Sequence, residues 1–150
     1  MARHKKDNAF TLIELLVVLA IIAIMASAMF VIYSEARAKS RDARRVQDIY
    51  SLHLALSIYA NKNGVFPANP GPPSIVIDGS DVVTLALTDP ANPIIPTKII
   101  DPMDNQIING ETFHYYYYTQ NNAHLYTITY CLETDYVAGL NKGCNNSATY

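Results

Sequence analysis

Tryptophan is absent from this 150-residue chain, cysteine occurs only twice, and charged residues make up just 16% of it. No charge stands between Leu15 and Ile32, no basic residue between Lys6 and Arg37, and no glycine or proline between Phe10 and Asn63. Each absence excludes something. A net charge of −2 argues against a generic nucleic-acid binder. A hydrophobic content of 50% is too high for a disordered chain. No nucleophile–base pair, metal-ligand cluster or phosphate-cradling glycine loop is visible, so neither an enzyme nor a cofactor is expected. The length allows one compact domain.

What is present is concentrated at the N-terminus. The eighteen residues Leu15 to Ile32 would form a helix of about 27 Å at ~1.5 Å per residue, close to the ~30 Å hydrocarbon core of a bilayer. Arg3, Lys5 and Lys6 precede them and orient the segment with its start on the cytoplasmic side. Three readings compete. Ala26-Ser27-Ala28 fits a signal-peptide cleavage site; the run also suits a permanent anchor; the third reading rests on Glu14. A carboxylate in a membrane helix costs roughly 2.5–3.5 kcal/mol at mid-bilayer and less near the interface. Neither a signal peptide nor a plain anchor has a use for it, so Glu14 calls for a cationic partner.

The stretch Asn8-Ala9-Phe10-Thr11-Leu12-Ile13-Glu14-Leu15-Leu16 resembles the class III leader and mature start of type IV pilins and type II secretion pseudopilins. The resemblance implies cleavage by a prepilin peptidase between Ala9 and Phe10, followed by N-methylation of Phe10. The family usually has Gly where Ala9 stands. A fresh α-amine has a pKa near ~8 and is mostly cationic at neutral pH. Glu14 is then expected to meet the Phe10 amine of a neighbouring copy during assembly; the alternative is its own Phe10 amine or the helix N-terminal dipole.

Helix is expected from near Thr11 to about Asn61, without melting around Ala23–Val31. Residues 34–62 hold six basic side chains against three acids, and residues beyond 63 hold two against eight. Arg37, Arg41 and Arg45 at i, i+4 spacing form a cationic stripe. It is read either as an intersubunit charge stripe or as a snorkelling collar facing lipid headgroups. Nucleic-acid binding through it is possible but weakly supported. Val46, Ile49, Leu52, His53, Leu56 and Tyr59 should face the head, with His53 a packed core histidine, while Leu54 and Ile58 lie off that face.

Gly64 and Pro67 end the helix, and Tyr59 to Pro67 again resembles the family's stem–head junction. A proline-rich connector, Pro67 to Pro73, follows. Ser80-Asp81 reads as an N-cap before a short helix, Val82 to Leu87. Asp101-Pro102-Met103-Asp104-Asn105 resembles a D-P-W-G-N-type loop; Asp101 and Asp104 are candidate calcium ligands, against a turn held by Asp and Asn side chains. Thr112–Thr119 and His124–Leu132 read as a hairpin whose Tyr126, Ile128, Tyr130 and Leu132 face the stem. Of Tyr115 to Tyr118, alternation sends two rings inward and two outward. In an exported head, Cys131 and Cys144 should form a disulfide closing a C-terminal loop, a position that resembles the disulfide loop of many pilins.

The expected fold class is therefore α+β: a long N-terminal helix packed on a small antiparallel sheet. Its expected parts are a leader at 1–9, a transmembrane and filament-core half-helix at 10–33, an amphipathic stem at 34–62 and a head at 63–150. The expected function is that of a pilin: held in the cytoplasmic membrane with its head outside, then assembled with other copies by the pilus machinery into an extracellular filament for adhesion, motility or DNA uptake. The rivals are a type II secretion pseudopilin and a monomeric secreted or anchored binding domain.

Overall fold

The computed structural model describes residues 10–69 and 74–150, with the side chain of Val31 excepted. The leader at 1–9, Ala9 included, and the Pro70–Pro73 part of the connector lie outside the described residues. Helix α1 runs Leu12–Asn63, 52 residues, and the chain divides into two units at Arg37/Ala38.

In the first unit every described side chain from Phe10 to Arg37 is exposed. The helix is unbroken through Ala23–Ile32 because no glycine or proline interrupts it, and Ser27, its one hydroxyl there, donates to the Ile24 carbonyl at 2.7 Å. A helix of bare Leu, Ile, Val and Met has no core of its own to stabilise it in water. Among the described residues, α1 is long and apolar enough to cross a membrane.

The second unit begins with the rest of α1. Its apolar residues recur at helical spacing, and Ile49, Leu52, Ala55 and Leu56 are buried; Leu54 and Ile58 are exposed, as their place on the opposite face requires. Gly64 closes the helix in a left-handed conformation, φ +81°, with its N–H donating to the Ala60 carbonyl at 2.7 Å. Then follow β1 (Ile75–Val76), α2 (Val82–Leu87), β2 (Ile107–Ile108), β3 (Glu111–Thr112), β4 (Tyr116–Gln120), β5 (Leu125–Leu132) and β6 (Gly143–Thr149). Asp81 caps α2 by accepting from the Thr84 N–H at 2.9 Å. The main sheet has the order β1-β4-β5-β6, all antiparallel; β2 and β3 form a separate two-stranded ribbon.

Tyr126, Ile128, Tyr130 and Leu132 alternate inward from β5 and join Tyr115, Tyr117, Ile77, Val83 and Leu87 against α1. The Tyr117 hydroxyl donates to the Pro67 carbonyl at 2.8 Å, and the Tyr115 hydroxyl to Asp48 at 2.9 Å. Two details differ from the sequence reading. The expected strand Thr112–Thr119 is split: Glu111–Thr112 pairs with β2 across Asn109-Gly110, both at positive φ, while only Tyr116–Gln120 pairs with β5. The polar C-terminal segment beyond Cys144 also continues as an edge strand, β6.

Candidate functional site

At the start of α1, Thr11 and Glu14 bind one another reciprocally. The Thr11 carbonyl accepts from the Leu15 N–H at 3.3 Å, which makes Thr11 the N-cap. Its hydroxyl accepts from the Glu14 N–H at 3.3 Å, while Glu14 Oε2 accepts from the Thr11 N–H at 2.9 Å and the Thr11 hydroxyl at 2.7 Å. This is a capping box. Its sequence signal is Thr-x-x-Glu ahead of an apolar run, here Thr11 to Glu14. None of these bonds involves a residue before Thr11, so a cut ahead of Phe10 leaves the box intact. Both bonds that the Glu14 carboxylate accepts from Thr11 fall on Oε2.

The cationic stripe is redistributed. Arg37 stays exposed, its guanidinium 4.6 Å from the Tyr33 ring centre. Arg45 is fully buried: Nε donates to Asp101 at 2.8 Å, Nη1 donates to Asp42 at 2.8 Å and to Glu133 at 2.7 Å, and the guanidinium lies 4.7 Å from the Phe113 ring centre. Arg41 Nε donates to Glu133 at 2.7 Å. Arg41 and Arg45 therefore spend their charge inside the subunit, and the reading of all three as one intersubunit stripe is corrected. Two of the eight head acids, Asp101 and Glu133, answer stem arginines within one chain.

Asp42 completes the cluster by accepting from the Glu133 and Thr134 N–H groups, each at 2.9 Å. It thereby fixes the end of β5 to the stem. Burial pushes the Glu133 carboxyl up, but the bonds from Arg41 and Arg45 outweigh it and hold the group below its ordinary value. Asp48 goes the other way: burial raises it, and the Tyr115 hydroxyl and Arg44 offset this only in part. A depressed carboxyl contributes stability that is complete above its unfolded value and lost as pH falls through its folded one. The head is therefore expected to weaken as pH falls below about 4.5. Denaturant midpoints across pH should show E133Q less stable at neutrality, with the gap to the parent protein closing in acid. Asp48 has the opposite sign: its contribution is present in acid and lost as pH rises through its folded value.

Asp101 and Asp104 do not converge. Asp101 binds Arg45 and accepts from the Met103 N–H at 2.7 Å in a local turn; Asp104 Oδ1 lies 2.7 Å from His114 Nδ1. Each carboxylate faces its own basic side chain. Among the described residues no three His, Cys, Asp or Glu side chains are grouped to hold a metal.

Cys131 and Cys144 form a disulfide across thirteen positions. Closing a loop of that order contributes about 3 kcal/mol. Reduction, or C131S together with C144S, is expected to lower the unfolding free energy by that amount in denaturant titrations. His53 is a packed histidine, with Nδ1 2.6 Å from the Tyr126 hydroxyl and its ring stacked on Tyr150 at 3.8 Å. Tyr115 and Tyr117 are buried, and Tyr116 and Tyr118 are half-exposed.

No curated protein and no solved structure matches the chain. One family profile does, the prokaryotic N-terminal methylation motif, over residues 4–30. That span contains the apolar start of α1, the capping box and the Ala9–Phe10 bond. This motif, ahead of a membrane-length helix and an antiparallel head sheet, supports a type IV pilin-like, prepilin family for the chain.

Proposed function

We propose that the protein is a structural subunit, a pilin, that polymerises through residues 10–33 into a surface filament after cleavage between Ala9 and Phe10 and N-methylation of Phe10. The methylation motif implies prepilin peptidase and membrane assembly machinery as its handlers. The single observation that carries the filament reading is Glu14: one carboxylate at the start of an apolar half-helix whose described side chains, through Arg37, are all exposed. Apolar side chains without a core are stable in lipid or against like helices. Glu14, four residues after the new terminus, supplies the anion for a neighbour's Phe10 amine. In low dielectric each charge relieves the other's desolvation.

The Cys131–Cys144 loop favours a pilus over the pseudopilus of type II secretion. A released binding domain cut after Ala28 would have to be severed within α1. Shearing the surface of cells that make this chain tests the proposal. Recovery of the chain in high-molecular-weight fibres is the expected result; recovery only as soluble monomer or membrane-bound precursor contradicts it.

A further inference from the structure

The outward face of the main sheet has a composition of its own. Strand register sets Tyr118 beside Thr127 and Thr127 beside Thr149; it sets Tyr116 beside Thr129 and Thr129 beside Ser147. The row between them, Tyr117, Ile128 and Ala148, packs into the core, so alternation turns both outer rows away from it. Each outer row is one tyrosine followed by two hydroxyl side chains, on strands ~4.8 Å apart, with ~7 Å between the rows. Tyr116 and Tyr118 are half-exposed, and Ser147 and Thr149 are exposed. Gln120 Nε2 donates to the Tyr118 hydroxyl at 3.0 Å, and the Thr127 and Thr149 hydroxyls share a bond at 2.9 Å. The Tyr118 hydroxyl, an acceptor in its bond, keeps a proton to donate. No residue of β4, β5 or β6 is charged. Beside Tyr116 the His114 ring stands edge-on at 5.6 Å, its Nδ1 already 2.7 Å from Asp104 Oδ1.

That chemistry selects a ligand. An anionic partner such as a nucleic acid finds no cation on these strands. A second copy calls for a mostly apolar interface core, whereas these rows set hydroxyls beside their two rings. A neutral sugar matches both parts: its C–H face lies on an aromatic ring, and its hydroxyls exchange hydrogen bonds with Tyr, Thr and Ser. We propose that the two Tyr–Thr–Ser/Thr rows form a binding face for a neutral polysaccharide laid across β4, β5 and β6. The face lies wholly on the head sheet and does not depend on the polymerisation reading. To test it, the full chain in detergent micelles is sedimented with insoluble cellulose, chitin or starch, and with phosphocellulose as the anionic control. Retention on at least one neutral polysaccharide is expected, with weaker retention on phosphocellulose. Y116A and Y118A should each weaken binding about fivefold, as the loss of one stacked ring does. Y50A, which removes an exposed ring of α1, should leave binding unchanged. T129V together with S147A keeps both rings and should weaken binding severalfold, which serves if a tyrosine variant fails to fold. Retention on none of the neutral polysaccharides, tighter retention on phosphocellulose, or binding indifferent to these changes or equally reduced by Y50A overturns the inference. So does a dimer in analytical ultracentrifugation that Y116A and Y118A dissociate while no polysaccharide is bound, since the face then serves a second copy.

Discussion

Replacing Glu14 by glutamine is expected to abolish fibre formation while leaving the start of α1 capped. Glutamine at this position of a capping box still accepts from the N-cap N–H, so the bond now made by Glu14 Oε2 to the Thr11 N–H at 2.9 Å survives. Only the charge is lost. Leaving a neighbour's Phe10 ammonium without its anion in a low-dielectric helix bundle costs about 3–5 kcal/mol. At 1.4 kcal/mol per factor of ten, that is at least ~100-fold in the constant for adding a subunit. T11A is the complementary variant. It removes the N-cap hydroxyl and keeps the charge, so its cost is that of a lost cap, about 1 kcal/mol, with fibre yield only modestly reduced. If Glu14 served as a cap alone, the order would reverse, with T11A the more damaging change and E14Q near the parent protein. Fibre yield by shearing, normalised to membrane-held precursor, separates the two.

The second large effect is expected at Arg45. R45A leaves Asp42, Asp101 and Glu133 around a vacated position, two of them with fully buried side chains. Stranding buried charges in this way costs about 3–5 kcal/mol, a large share of the 5–15 kcal/mol that holds a typical domain. The head of R45A should unfold at much lower denaturant concentration, or fail to accumulate. R41A should cost far less, since the Arg41 side chain is 31% exposed and its partner Glu133 keeps Arg45. Lysine at position 45 is expected to rescue little, because Arg45 forks onto both oxygens of Asp101, at 2.8 and 3.1 Å, and an ammonium cannot reproduce that geometry. The cluster's value lies as much in placement as in energy. It joins the stem, the loop at Asp101 and the chain after β5 at one buried guanidinium.

Features set by local chemistry were legible in the sequence. The extent of α1, its Gly64 cap, the Asp81 cap of α2 and the inward face of β5 follow from periodicity and from residues that cap or turn. The buried role of Arg45 was not legible. Arginines at i, i+4 spacing look like a solvated stripe, and the partners that bury this one lie 56 and 88 positions away. Strand β6 was hidden for a related reason: Gly143 to Thr149 has no apolar alternation, and its pairing with β5 is what makes it a strand. Two further features are also written locally in the sequence. Asn109-Gly110 is a two-residue hairpin turn, and Thr11 with Glu14 is a capping box. At the N-terminus itself, the residues behind the proposed assembly role of Glu14 are sequence-local, so they could be read before any fold was known. The neighbour that would complete the site belongs to another copy.

The intact mass of the mature chain, measured on protein recovered from the cell surface, tests the central claim most directly. The expected mass is that of Phe10 to the end of the chain with one added methyl group and the Cys131–Cys144 bridge formed. A mass beginning at Met29, or one beginning at Phe10 without the methyl group, would contradict it.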